Sequence, residues 1–129
     1  MKVIYTGWFV NANLIHGTLE KKISTPHITL DFKPTDLHLN SFGTKAIIKV
    51  IGYGNDGKNE GYLCQIEPED KELAAQVSKI AVPHLTLSVS KNGKPVDTAK
   101  LEFQKIQPFS IIGTFGAFTP KGVITEGSY

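Results

Sequence analysis

The chain has 129 residues, 40% hydrophobic and 20% charged, with seven Phe, enough to bury the core of one domain and too apolar for a disordered chain. Its net charge of +2 comes from 14 basic residues, all lysine, against 12 acidic ones. That balance excludes a protein held on duplex DNA by bulk phosphate neutralisation, and without arginine no guanidinium fork is available to a phosphate.

The lone cysteine, Cys64, rules out an internal disulfide or a cysteine-rich zinc motif, and a reducing, cytoplasmic location is the expectation. No apolar run approaches the ~20 residues that cross a bilayer, and the start of the chain has no signal-peptide pattern, so no membrane partner is expected.

In chain order, residues 2–10 are aromatic and β-branched and read as a strand. Residues 11–22 are ambiguous: Leu14, Ile15 and Leu19 could line a helix face that Gly17 weakens. Residues 26–33 read as a strand, and 45–53 with 61–67 as a hairpin about Asn55-Asp56-Gly57. The spacing of Leu73, Val77 and Ile80 after Pro68 predicts a helix over 69–80. Strands follow at 83–90, 100–106 and 109–118, with a loop at Asn92–Pro95 and a loosely held tail in the last ten residues. Mostly strands with one or two helices make a single α+β domain over 1–129.

The strongest internal signal is a repeat. Residues 25–32 read Thr-Pro-His-Ile-Thr-Leu-Asp-Phe and residues 82–89 read Val-Pro-His-Leu-Thr-Leu-Ser-Val, sharing the frame Pro-His-aliphatic-Thr-Leu 57 residues apart. Strand alternation puts His27, Thr29 and Asp31 on one face and Ile28, Leu30 and Phe32 on the other. In the second copy His84, Thr86 and Ser88 oppose Leu85, Leu87 and Val89. Two similar halves facing each other would bring two imidazoles and two hydroxyls into one cleft.

That set suits phosphodiester chemistry. One imidazole takes a proton from a ribose 2′-OH or water while the other gives one to the leaving oxygen. The threonine hydroxyls donate to non-bridging phosphate oxygens, where transition-state charge builds. No metal or cofactor is required, and no metal-ligand spacing recurs. A single His-x-Thr is usually a structural pair; two copies in one frame, both on strands, make chance a poor explanation.

The paired His-Ile-Thr and His-Leu-Thr resemble the signature of the 2H phosphoesterase superfamily. The resemblance implies a bilobal, pseudo-twofold fold of antiparallel sheets around a central groove lined by His27, Thr29, His84 and Thr86. Its members include RNA 2′,3′-cyclic phosphodiesterases, 2′-5′ oligoadenylate phosphodiesterases and phage anti-CBASS enzymes that destroy cyclic oligonucleotide immune signals. It thus implies a small nucleotide or cyclic oligonucleotide as substrate, with RNA ends as the alternative and a non-catalytic nucleotide sponge as a third reading. Compact size and the lack of arginine favour the first.

Around the tetrad, Tyr5, Trp8 and Phe115 are candidates for stacking on a nucleobase, with Phe118 beside them on the last strand. Lys33 and Lys91, each just after a motif strand, are candidates for the groove mouth. His16 and His38 read as solvated loop residues, and Cys64 as packed.

Overall fold

The computed structural model describes residues 2–126. Its strands are β1 (Tyr5–Phe9), β2 (Lys21–Lys22), β3 (His27–Phe32), β4 (Lys45–Asn55), β5 (Asn59–Pro68), β6 (His84–Val89), β7 (Gln104–Thr119) and β8 (Gly122–Ile124). They form one antiparallel sheet in the order β2-β6-β5-β4-β7-β1-β3, with β8 added to β7. With a single short α-helix among the described residues, α1 (Lys71–Gln76), and a few 3-10 turns, the protein is α+β, as its composition of elements implies. Among the described residues no helix is long and apolar enough to cross a membrane.

Alternation builds the core. Ala46, Ile48 and Val50 of β4 are buried while Lys45, Ile47 and Lys49 are exposed. The buried side continues through Cys64 and Ile66 of β5, Leu85 and Leu87 of β6, Phe115 of β7, Trp8 of β1 and Ile28 of β3. Helix α1 closes this face with Leu73, which is wholly buried, while Val77 and Ile80 pack against the core from its edge. Asp70 starts the helix by accepting from the Leu73 N–H at 3.1 Å. Pro68 lies earlier than expected, as the last residue of β5 opposite Ala46.

Four segments differ from expectation. Residues 11–22 hold no α-helix, only a 3-10 turn at Ala12–Leu14 and the two-residue β2; Ile15 is their one buried aliphatic residue, too little to hold a helix. The two strands expected at 100–106 and 109–118 are one 16-residue strand, β7. Its register against β4 jumps between Phe109 and Lys105, so Pro108, which has no N–H, falls in a bulge where the ladder is already broken. Residues Pro95–Lys100 form a 3-10 helix where a loop and then a strand start were expected. The tail is pinned: β8 pairs with β7, Gly122 turns at φ +115°, and the Thr119 hydroxyl donates to Gly122 O at 2.9 Å. The rest of that tail, 127–129, lies outside the described residues.

The candidate site on two converging motif strands

The repeat occupies the two arms of the sheet. β3 is the terminal strand beyond β1, and β6 lies beyond β5, with only the short β2 outside it. The arms bend toward each other until Cα atoms of β3 and β6 come within 8 Å. His27 and His84, each the first residue of its strand, are half-buried and close enough that the charge of His84 disfavours protonation of His27.

Each imidazole is anchored in the same way. His27 Nδ1 lies 2.9 Å from Thr25 O and His84 Nδ1 lies 2.8 Å from Val82 O, in both cases the carbonyl two residues back across the proline. A carbonyl can only accept, so Nδ1 carries the hydrogen and Nε2 is left with the lone pair when the ring is neutral. The Pro-His frame therefore presets the tautomer that proton transfer at Nε2 needs. Proline contributes a fixed φ and pushes its predecessor into extended backbone, which turns that carbonyl toward the ring.

The registers match as well. Thr29 faces Gly7 and Thr86 faces Gly61, and in each case the pairing then slips so that the next residue of the motif strand, Leu30 or Leu87, is bulged out. The glycines permit the close approach: a Cβ on Gly7 would lie 2.2 Å from Ile28 O, and one on Gly61 would lie 2.3 Å from the Thr98 methyl.

The surroundings differ between the arms. On the β3 side, His27 stacks on Tyr5 with ring centroids 4.3 Å apart, with Phe9 at 5.8 Å, and Tyr5 in turn stacks on Phe118 at 5.1 Å. The Tyr5 hydroxyl is 3.1 Å from His27 Nδ1, and burial pushes its phenol up to about 12. Burial also lowers the His27 pKa below its ordinary value; the bond to Thr25 opposes this and the His84 charge adds to it. Thr29 is half-buried, and among the described residues its hydroxyl has no partner.

On the β6 side Thr86 is buried, its hydroxyl 2.9 Å from Thr98 Oγ1 and 3.3 Å from Pro95 O, and Asn59 donates to Thr98 at 3.1 Å. Thr86 is thus held by the 3-10 helix at 95–100 rather than open like Thr29. Ser88, expected on a polar groove wall, is wholly buried and donates to Glu60 Oε1 at 2.7 Å.

Several sequence candidates lie elsewhere. Trp8 and Phe115 are 0% exposed and pack on each other in the core at 5.5 Å, so neither can stack on a ligand. The ring cluster beside His27 is instead Tyr5, Phe9 and Phe118. Lys33 and Lys91 are exposed, but six and seven residues along from their histidines, roughly 20 Å at ~3.3 Å per residue. Phe32, expected in the core, is 66% exposed because the bulge at Leu30 reverses the alternation. Its ring carries the Lys33 ammonium at 5.7 Å.

His16 is exposed, but His38 is buried, in left-handed backbone at φ +53°, with Nδ1 3.6 Å from both Asp36 and Glu72 carboxylates. Two cavities of about 440 and 420 Å³ adjoin His38, the first lined by Thr35–Asn40 with Glu72 and the second by Asp31–Asp36 with Gln76 and Lys79, and neither is lined by His27 or His84. Cys64 is packed, its thiol pushed by burial up to about 12. Among the described residues no group of three His, Cys, Asp or Glu is placed to hold a metal ion.

No family model, no curated protein and no solved structure matches this chain.

Proposed function

We propose that the protein is a metal-independent phosphodiesterase of the 2H type, in which His27 and His84 bracket one phosphorus as general base and general acid. The observation that carries this reading is the pair of imidazoles on converging strands, each with Nδ1 held by the carbonyl two residues back. In this reading β7-β1-β3 and β4-β5-β6 are two lobes related by a pseudo-twofold. The equal bulges after Thr29 and Thr86, each opposite a glycine, support it.

The step runs as follows. The Nε2 lone pair of one imidazole takes a proton from water or a ribose 2′-OH, whose oxygen forms the new P–O bond. The P–O bond to the leaving oxygen breaks, and the second imidazole, protonated, gives that oxygen its proton. One ring ends charged and the other neutral, so charge is conserved between them. Thr29, with a free hydroxyl, is placed to donate to a non-bridging oxygen. Thr86 serves the same role only if its bond to Thr98 yields.

The favoured substrate is a small nucleotide, a cyclic oligonucleotide of the kind used as an immune signal, as in phage counter-defence. The half-buried ring cluster of Tyr5, Phe9 and Phe118 beside His27 offers a nucleobase an apolar neighbour, and the absence of arginine disfavours a long RNA track.

The test is a panel incubated with purified protein and EDTA: cyclic di- and trinucleotides, 2′-5′ oligoadenylate, and RNA ending in a 2′,3′-cyclic phosphate. Cleavage of a cyclic oligonucleotide supports the reading. Cleavage of terminal RNA cyclic phosphate or 2′-5′ oligoadenylate alone moves the substrate but keeps the chemistry. A ligand bound and recovered intact makes the protein a sponge and overturns the enzyme assignment.

A further inference from the structure

The two motif histidines share an anchor but not a neighbour. Among the described residues His84 Nδ1 has Val82 O as its hydrogen-bond partner and no aromatic ring stacked on it. His27 Nδ1 faces two oxygens, Thr25 O at 2.9 Å and the Tyr5 hydroxyl at 3.1 Å, and the Tyr5 ring lies on the imidazole only 22° from parallel. Since the carbonyl fixes the hydrogen on Nδ1, the phenol oxygen is a second acceptor for that same N–H, in a three-centre bond. Among the described residues no other hydrogen bond of the Tyr5 side chain competes for it.

We propose that Tyr5 is a positioning residue that acts through His27: its hydroxyl and stacked ring lock the Nδ1–H tautomer and ring plane, so that His27 is the base and His84 the acid. This inference rests on the phosphodiesterase reading for the two roles, but not for the tautomer.

Three features agree with the division. The phenol stays protonated across the working range, because burial pushes it to about 12, so it adds no charge beside the imidazole. Burial and the His84 charge both favour neutral His27, against the single opposing bond to Thr25. The groups that act on His27 are thus Tyr5 from β1, Thr25 from its own strand entry and His84 from β6. A pair in which one ring is neutral while the other carries a proton is the state that in-line transfer needs. Tyr5 itself is held by Phe118 from β7 and by Phe9 four residues on, which gives the ring little freedom to leave the stack.

The experiment is a long-range ¹H–¹⁵N spectrum of histidine-labelled protein over a pH series, with no substrate, for wild type, Tyr5→Phe and Tyr5→Leu. Wild type is expected to show His27 as the Nδ1–H tautomer with a titration midpoint below that of an ordinary histidine. Tyr5→Phe keeps the stack and loses the acceptor. It is expected to raise the Nε2–H fraction at His27 to that of His84, which has the carbonyl alone, and to lower the midpoint, because the cation loses one acceptor. Tyr5→Leu is expected to raise the midpoint as water reaches the ring.

With whichever panel member is turned over, Tyr5→Phe should lower kcat about three- to tenfold and move the acid limb of the pH profile with the NMR midpoint, leaving KM near wild type. Identical tautomer and midpoint in wild type and Tyr5→Phe overturns the proposal. A shifted tautomer in a protein that cleaves nothing retains Tyr5 as the positioning residue while refuting the enzyme reading, so the two failures are distinguishable.

Discussion

Glu60 offers a sharp test of how the second motif strand is held. The residue is 1% exposed. Oε1 accepts the Thr18 N–H at 2.6 Å and the Ser88 hydroxyl at 2.7 Å, while Oε2 accepts the Thr18 hydroxyl at 3.0 Å and the Tyr53 phenol. Four neutral donors from three segments thus converge on one carboxylate, tying residue 18 to β4, β5 and β6.

In Glu60→Gln the amide oxygen can keep the Oε1 pair, and the two hydroxyls facing the new NH₂ can rotate to accept. The loss is charge assistance, about 1 kcal/mol for each of the four bonds, since bonds to charged groups contribute ~1.5–3 against ~0.5–1.5 kcal/mol for neutral ones. Relief from burying a charge offsets about half of this, leaving a net destabilisation of about 2 kcal/mol. Glu60→Ala abandons all four donors and should cost about 4 kcal/mol or more.

Urea unfolding read as a midpoint at constant m measures both. Burial pushes the Glu60 carboxyl up, but the bonds from Tyr53, Ser88 and Thr18 outweigh it and hold the group below its ordinary value. A depressed folded value stabilises above the unfolded one, ~4.3, and the gain is lost as pH falls through the folded value. The gap between wild type and Glu60→Gln should therefore be full at pH 7 and close steadily below about pH 4. A Gln variant as stable as wild type at pH 7, or a gap independent of pH, refutes the reasoning.

Three further outcomes follow from the geometry. Gly61→Ala forces a Cβ to within 2.3 Å of the Thr98 methyl and 2.9 Å of Leu85 O, and should cost about 2 kcal/mol in a thermal melt by overpacking, with turnover falling as Thr86 is displaced. Thr86→Ala breaks a buried bond to Thr98 and should lower stability by about 1 kcal/mol, whereas Thr29→Ala should leave the melt unchanged, although each slows turnover. Cys64, buried with its thiol pushed up to about 12, should resist a disulfide reagent at pH 8 until urea unfolds the chain; rapid labelling of the native protein would contradict the packing.

Much of the fold was legible in particular residues. The Pro-His-aliphatic-Thr-Leu frame located both motif strands to within a residue, and Asn55-Asp56-Gly57 located the hairpin. What escaped is what depends on contacts between distant segments. The bulges at Leu30 and Leu87 exist because Gly7 and Gly61 let the neighbouring strands approach, and no local pattern in the motif announces that. Residues 100–106 and 109–118 read as two strands, yet a bulge accommodates Pro108, which has no N–H for a ladder, and lets β7 run through it.

The replacement of Trp8 and Phe115 by Phe9, beside the expected Tyr5 and Phe118, had a signal. Tyr5, Gly7 and Phe9 alternate against Thr6, Trp8 and Val10, so a strand that buries Trp8 must present Phe9 with Tyr5. The Thr98 and Glu60 networks had none, since a lone buried threonine or glutamate is recognised only by the donors that three-dimensional structure brings to it.

The most direct measurement of the central claim is turnover of the best panel substrate, with EDTA present, by wild type, His27→Ala and His84→Ala of matched melting temperature. Removing either proton-transfer group should lower kcat by roughly 10²–10⁴-fold, as loss of a positioned acid or base does. Near-wild-type turnover in either variant would mean that the two rings do not share one phosphorus, and the account would be wrong.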